Sequence, residues 1–169
     1  VIDEHGNQVS LGEVGELITR GPYTLRGYYK AFEYNKNAFT EDGFLRTGDL
    51  VRITEQGNLV VEGRVKDVIN RGGEKIVASE IEDLLIEHPK IREIAVVAMP
   101  DNVMGEKSCA FVVRNGDAPS VNEINQFLTL RGLANYKLLD RLEVIDAMPR
   151  TKVGKLNKVE LRKKFDKVT

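Results

Sequence analysis

The stretch Gly63-Arg64-Val65-Lys66-Asp67-Val68-Ile69 lies where the character of the sequence changes. Before it, short strand-like runs end at turn-forming residues such as Asp42-Gly43 and Gln56-Gly57-Asn58, a pattern typical of antiparallel hairpins. After it, strand and helix patterns alternate. We therefore expect an α+β protein in two parts. Residues 1–65 form a small β-rich piece, a distorted barrel or a meander, and residues 66–169 form a compact domain with a central sheet flanked by helices.

Local signals place the elements of the second part. The adjacent glycines in Arg71-Gly72-Gly73-Glu74 predict a tight hairpin. Ser79 with Glu82, and Ser120 with Glu123, have the spacing of capping boxes and predict two helix starts. The near-continuous apolar runs at residues 94–99 and 108–114 are typical of strands buried on both faces. A last helix is expected to begin near Asn157.

The composition sets broad limits on the class of protein. Hydrophobic residues make up 41% of the 169 residues, enough for a real core, and the formal net charge of -1 argues against a globally basic nucleic-acid binder. The single cysteine, Cys109, excludes an internal disulfide and suits a reducing, cytoplasmic compartment. No apolar run approaches the roughly 20 residues of a membrane span. The first residue is not methionine, and the chain begins within a strand-and-turn pattern, so a fragment of a longer protein is expected.

Two segments of the first part carry charges that suit a ligand. In Leu45-Arg46-Thr47-Gly48-Asp49-Leu50, the carboxylate of Asp49 would offer two acceptor oxygens to the paired hydroxyls of a ribose. An ordinary aspartate turn has the same pattern. In the junction stretch, the guanidinium of Arg64 could reach a nucleotide, whereas a surface strand with alternating charges accounts for it equally well.

Two segments of the second part also stand out. Gly72 and Gly73 permit positive φ and close approach of a ligand, or simply close a hairpin. The loop Met148-Pro149-Arg150-Thr151-Lys152-Val153-Gly154-Lys155 gathers three cations, and such crowding favours an anionic partner. The alternative is a solvated basic tail, since basic residues continue to Lys167.

In this order, the four segments resemble the adenylate-forming superfamily of acyl-CoA synthetases, luciferases and peptide-synthetase adenylation domains. Within it, residues 19–30, 69–75 and 136–141 are most similar to aryl-acid ligases of siderophore pathways, in particular 2,3-dihydroxybenzoate–AMP ligases. The resemblance covers nearly the whole chain, through Gly15-Glu16-Leu17 with Arg20-Gly21-Pro22, Asp42-Gly43-Phe44 with Thr47-Gly48-Asp49, Gly63-Arg64 through Gly72-Gly73 with Glu80-Ile81-Glu82, Pro100-Asp101 with Gly105-Glu106, and Pro149 through Lys155.

The resemblance implies a role for each candidate residue. Asp49 would accept the ribose hydroxyls of ATP, and Arg64 would contact the same region. Lys66 would be the hinge about which a small lid domain turns between two poses. Lys155 would bind the acid's carboxylate and the α-phosphate in the adenylation pose. Gly72-Gly73-Glu74 would line the channel of a pantetheine thiol in the second pose.

The resemblance also implies partners and omissions. The substrates would be ATP with Mg²⁺, an aryl acid and the phosphopantetheinyl arm of an aryl carrier protein, with no nucleic acid and no membrane. The phosphate loop, the Mg²⁺ ligands and the acid pocket would belong to a large domain outside this chain, so the isolated chain is expected to be inactive. An acyl-CoA synthetase or a peptide-synthetase adenylation domain is the alternative within the superfamily.

Two further classes stay open from the residues alone. The basic tail is the best argument for a nucleic-acid-binding module, because Arg71-Gly72-Gly73-Glu74 lacks the glycine spacing of a backbone-clamping loop. The same tail, with Lys163 and Lys164, could instead steer an acidic carrier protein in a pure interaction domain.

Overall fold

The computed structural model describes residues 1–165, and the chain divides into two compact units, Val1–Lys66 and Asp67–Thr169. Both units mix strands and helices, and the expected α+β class is confirmed. The assignment of the two units to a large domain and a lid stays a prediction. None of the helices in residues 1–165 combines the length and the apolar character that a bilayer-spanning helix requires.

The first unit is built on a three-stranded antiparallel meander, in which the strands lie in chain order. Val51, in the middle strand, is fully buried. A short helix separates the first two strands. The elements are β1 Val14–Thr19, α1 Phe32–Ala38, β2 Leu45–Ile53 and β3 Leu59–Arg64.

The second unit is built on a five-stranded sheet. The strand order is β5-β4-β7-β6, and β8 pairs with β7 in parallel while the other pairs are antiparallel. The long pair β6 and β7 forms the centre. The elements are β4 Val68–Arg71, β5 Glu74–Val77, α2 Ala78–Leu85, β6 Ile91–Asp101, β7 Gly105–Arg114, α3 Val121–Leu130, β8 Arg141–Val144 and α4 Lys158–Arg162.

Helices cover both faces of this sheet, as the apolar strands predicted. One face packs against α2 and α3 through side chains such as Ile81 and Leu128. The other packs against α4 through Leu161, with Phe111 at its centre. Cys109 lies fully buried on this second face, and burial raises the pKa of its thiol to about 12, so it is a structural residue.

The two predicted capping boxes have different outcomes. The Ser120 hydroxyl accepts the N–H of Glu123 at 3.2 Å, so the predicted start of α3 is confirmed. The box at Ser79 is wrong, because α2 begins two residues earlier than the box predicts and its N-cap, Val77, has no side-chain cap. The carboxylate of Glu82 instead contacts the N–H of Val96 and the ammonium of Lys158.

Candidate functional site

The candidate residues of the first unit, Asp49 and Arg64, contact each other. The register of β2 and β3 sets them opposite one another, and Arg64 Nε lies 2.8 Å from Asp49 Oδ1. Both side chains remain partly exposed. The pair therefore presents a carboxylate and a guanidinium side by side, the two groups that can bind the hydroxyls and phosphates of a nucleotide.

A cavity of about 610 Å³ adjoins Arg64 within the first unit. One wall is held by Glu16, a largely buried carboxylate that accepts hydrogen bonds from Arg46 Nε at 3.0 Å and from the N–H of Gly48 at 3.2 Å. Glu16 thus holds the irregular part of the first unit's middle strand that precedes Asp49, where the register with the neighbouring strand shifts. Neither Glu16 nor Arg46 is among the site residues predicted from the sequence, although Glu16 lies in a stretch that carries the family resemblance. The lining also includes Tyr34, Asn37, Ala38, Thr47, Val65 and Lys66.

Lys66 is the last residue of the first unit. It lies in a single 3-10 turn, Val65–Asp67, directly between β3 and β4. A turn this short contains few hydrogen bonds, so a rotation of the chain there disrupts little structure. This location suits a hinge.

The hairpin β4–β5 is closed by Gly72 and Gly73, with φ values of 61° and 93°. Two positive values in succession are those of a type I′ turn, which L side chains rarely adopt. The hairpin touches the β6–β7 turn, because the N–H of Gly72 donates to the carbonyl of Met104 at 2.8 Å. Glu74 follows as an exposed residue at the start of β5.

A partly buried carboxylate anchors this hairpin. Asp140 accepts from Arg71 Nε and Nη2 at 3.0 and 2.9 Å, and from the N–H and hydroxyl of the buried Ser108 at 3.0 and 3.1 Å. Burial raises the pKa of Asp140, but the hydrogen bonds from Arg71 and Ser108 outweigh it and hold that pKa below its ordinary value. The anchor is therefore a charged pair at neutral pH.

Lys155 lies at the end of a closed turn that begins at Thr151. The N–H of Thr151 donates to the carbonyl of Lys155 at 2.7 Å, and the N–H of Lys155 donates to Thr151 Oγ1 at 3.2 Å. Gly154 supplies the positive φ, 81°, that closes the turn. Outside the turn, Arg150 Nη2 pairs with Glu93 Oε2 at 2.5 Å. We call residues 151–155 the Lys155 turn; it is ordered backbone rather than a solvated tail.

The Lys155 side chain has no ion pair or side-chain hydrogen bond with any of residues 1–165, and it is exposed. Other cations of the basic tail are engaged. Lys158 pairs with Glu82, Arg162 with Asp67, and the exposed Lys163 with Glu160. Lys167 lies outside the described residues. Part of the tail's charge is thus offset within the unit.

The Gly72–Gly73 turn and the Lys155 turn lie at opposite ends of the sheet. The first adjoins the β6–β7 turn, where Asp101 pairs with Gly105, and the second adjoins Glu93. Glu93 and Asp101 are eight residues apart on β6, which corresponds to roughly 26 Å along a strand. One ligand group cannot contact both turns at once.

Among residues 1–165, no group of three or more histidine, cysteine, aspartate or glutamate side chains is placed to hold a metal ion.

Known proteins resemble this chain in both sequence and fold. Residues 80–155 match the family of the AMP-binding enzyme C-terminal domain. The chain is 54% identical over 162 residues to 2,3-dihydroxybenzoate-AMP ligase of Bacillus subtilis and 51% identical over 162 residues to enterobactin synthase component E of Escherichia coli, with 96% of the chain covered in each case. It spans about 30% of the length of these relatives.

The fold has solved counterparts. The crystal structure of ATP-bound MatB from Rhodopseudomonas palustris matches with a TM-score of 0.89 and 32% sequence identity, over 99% of this chain and 33% of that one. An identity of this size supports more than a shared fold. The chain therefore contains an AMP-binding enzyme C-terminal domain, and its relatives include named AMP ligases.

Proposed function

We propose that this chain is part of an ATP-dependent aryl-acid ligase, which joins the acid to AMP and then transfers the acyl group to a phosphopantetheine thiol of a carrier protein. Relatives named as 2,3-dihydroxybenzoate-AMP ligases support an aryl acid as the substrate. In this proposal, residues 1–65 complete the large nucleotide-binding domain and the second unit is the mobile lid.

The observation that carries the proposal is the Lys155 turn. Its own backbone bonds hold it closed while the ammonium group is exposed. In the adenylation step, the carboxylate of the acid attacks the α-phosphorus of ATP, and pyrophosphate leaves. Two anions must approach each other, and a preorganised cation that bridges them stabilises the transition state. Lys155 would supply that cation.

The other candidates have complementary roles in the proposal. Asp49 accepts the ribose hydroxyls, and Arg64, already 2.8 Å from it, binds the same nucleotide from the neighbouring strand. Lys66 is the hinge between the two poses. Gly72, Gly73 and Glu74 line the pantetheine channel in the second pose. The roughly 26 Å between the two turns supports such a division, since each half-reaction uses one end of the lid.

The test is Lys155→Ala in a ligase of the relatives' length that contains this chain. We expect ATP–pyrophosphate exchange to fall by on the order of 100-fold or more, because a charge contact to the reacting groups is lost. Thioester formation from preformed acyl-adenylate should be largely retained. Lys152→Ala, in the same turn, is the matched control and should keep both activities.

Equal losses of both half-reactions in Lys155→Ala would contradict the assigned role. The isolated 169-residue chain serves as a second control. It is proposed to be inactive because the acid pocket and the phosphate loop are expected outside it, and any pyrophosphate exchange by this chain would overturn that part of the proposal.

A further inference from the structure

We propose that Asp67 and Arg162 are positioning residues that couple the Lys155 turn to the hinge; the inference rests on the proposed function. Asp67 immediately follows Lys66, in the same 3-10 turn. Its Oδ1 lies 2.5 Å from Nη2 of Arg162, the last residue of α4. The two side chains are only 15% and 27% exposed, so the pair is shielded from solvent and salt.

A second ion pair fixes the other end of α4. Lys158 Nζ lies 2.7 Å from Glu82 Oε1, and the side chains are 14% and 19% exposed. The same carboxylate oxygen accepts the N–H of Val96 in β6. Burial raises the pKa of Glu82 while Lys158 and the N–H of Val96 act to lower it, so this carboxylate lies in a largely desolvated position. α4 is therefore anchored at its first and last residues, to α2 and to the hinge turn.

The helix is in turn joined to the Lys155 turn. The N–H of Asn157 donates to the carbonyl of Pro149 at 2.8 Å, and Arg150 and Leu156 form a bridge across the base of the turn. Leu161 is 1% exposed and packs against the sheet. A continuous set of contacts thus runs from Asp67 through α4 to the base of the turn that bears Lys155.

This connection has a mechanical consequence. A rotation at Lys66 is useful for adenylation only if the Lys155 ammonium moves with the hinge segment and arrives at a fixed point. Misplacement of a reacting group by about 1 Å can lower a rate by ~100-fold. Buried ion pairs contribute little net stability but require one geometry, and the planar guanidinium of Arg162 specifies it further. The Asp67–Arg162 pair meets that need, although neither residue is expected to touch a substrate.

The experiment uses the same ligase with Arg162→Met, Asp67→Asn and the charge-swapped double variant Asp67→Arg/Arg162→Asp. We expect each single variant to lower ATP–pyrophosphate exchange by about tenfold or more through misplacement of Lys155. The KM for ATP and thioester formation from preformed acyl-adenylate should stay near the parent values. The charge swap should recover most of the exchange, and Arg162→Lys should fall between parent and Arg162→Met.

Glu160→Gln, which removes the exposed pair with Lys163 on the same helix, is the matched control and should behave as the parent. Equal loss of both half-reactions together with a lowered melting temperature in Asp67→Asn and Arg162→Met would show a merely structural pair and overturn the inference. Parent-like exchange in both would overturn it as well. If the parent ligase itself shows no exchange, the proposed function fails first, so the two failures are distinguishable.

Discussion

The two ends of the second unit's sheet are stabilised in opposite ways. At the hairpin end, two glycines fix the backbone, and Asp140 joins Arg71 to the buried Ser108. At the other end, the Lys155 turn closes on itself, and its nearest ion pair, Arg150 with Glu93, is exposed. The hairpin is thus held by contacts with distant parts of the unit, whereas the Lys155 turn is held by bonds among neighbouring residues that leave its cation accessible.

The substitution with the largest expected effect on stability is Asp140→Ala. It leaves the Arg71 guanidinium and the N–H of Ser108 unpaired in a shielded site, so we expect the free energy of unfolding to fall by about 3–5 kcal/mol. Glu93→Ala removes the matching carboxylate at the other end. Because that pair is solvated, its loss should lower the free energy by ~0–1 kcal/mol. Urea denaturation measures the free energy of unfolding of both variants. Equal losses would show that the two ends of the sheet are not stabilised differently.

A smaller effect is expected from the turn glycines. Gly72→Ala and Gly73→Ala both force an L residue to positive φ, at about 1–2 kcal/mol each. A Cβ on Gly72 would also lie 2.6 Å from Met104 Cε, whereas one on Gly73 meets nothing within 4 Å. Gly72→Ala should therefore be the more destabilising in thermal melts.

Met104→Ala separates the backbone strain at positive φ from the steric contact with the Met104 side chain. In that background, Gly72→Ala and Gly73→Ala should destabilise equally, since only the backbone strain remains. Gly154→Ala, in the Lys155 turn, has φ of 81° and open space, so it should match Gly73→Ala. A persistent difference between the two hairpin variants without Met104 would refute this explanation.

The smallest expected effect is a dependence on acid at the hairpin end. Hydrogen bonds from Lys107, and from the N–H groups of Met104 and Val103, lower the pKa of Asp101 from 3.8 to about 2. A carboxylate whose pKa is lowered by folding stabilises the fold at any pH above its pKa in the unfolded chain. This contribution is lost as pH falls from 3.8 towards 2. Melting temperatures of Asp101→Asn should decline less steeply than those of the parent over this interval; parallel curves would contradict the assignment.

The sequence predicts those features, such as turns and helix caps, that depend on residues close together in the chain. The glycine pair forms the expected hairpin, and Ser120 caps α3 because donor and acceptor are three residues apart. Ser79 and Glu82 have the same spacing, yet Glu82 contacts Lys158, 76 positions along the chain, and Val96. Local spacing cannot reveal a partner that only the assembled core brings close.

The candidate site follows the same rule. Asp49 and Arg64 were selected separately, and only the register of β2 and β3 makes them a pair. Arg71 with Asp140 and Asp67 with Arg162 are separated by 69 and 95 positions, and their pairing depends on the packing of the whole unit. The residue types that suit a nucleotide were evident from the sequence, whereas the contacts that orient them were not.

The parallel pairing of β8 with β7 determines where the chain emerges. After β7, the chain passes through α3 and re-enters the sheet in the direction it had before, so β8 ends beside Val112 rather than beside Gly105. An antiparallel return would deliver the following loop to the hairpin end, next to Gly72. The crossover connection therefore places the loop after β8 at the end of the sheet opposite the hairpin. A longer or shorter link between β7 and β8 would preserve that arrangement, because the direction of β8 alone decides at which end of the sheet Lys155 emerges.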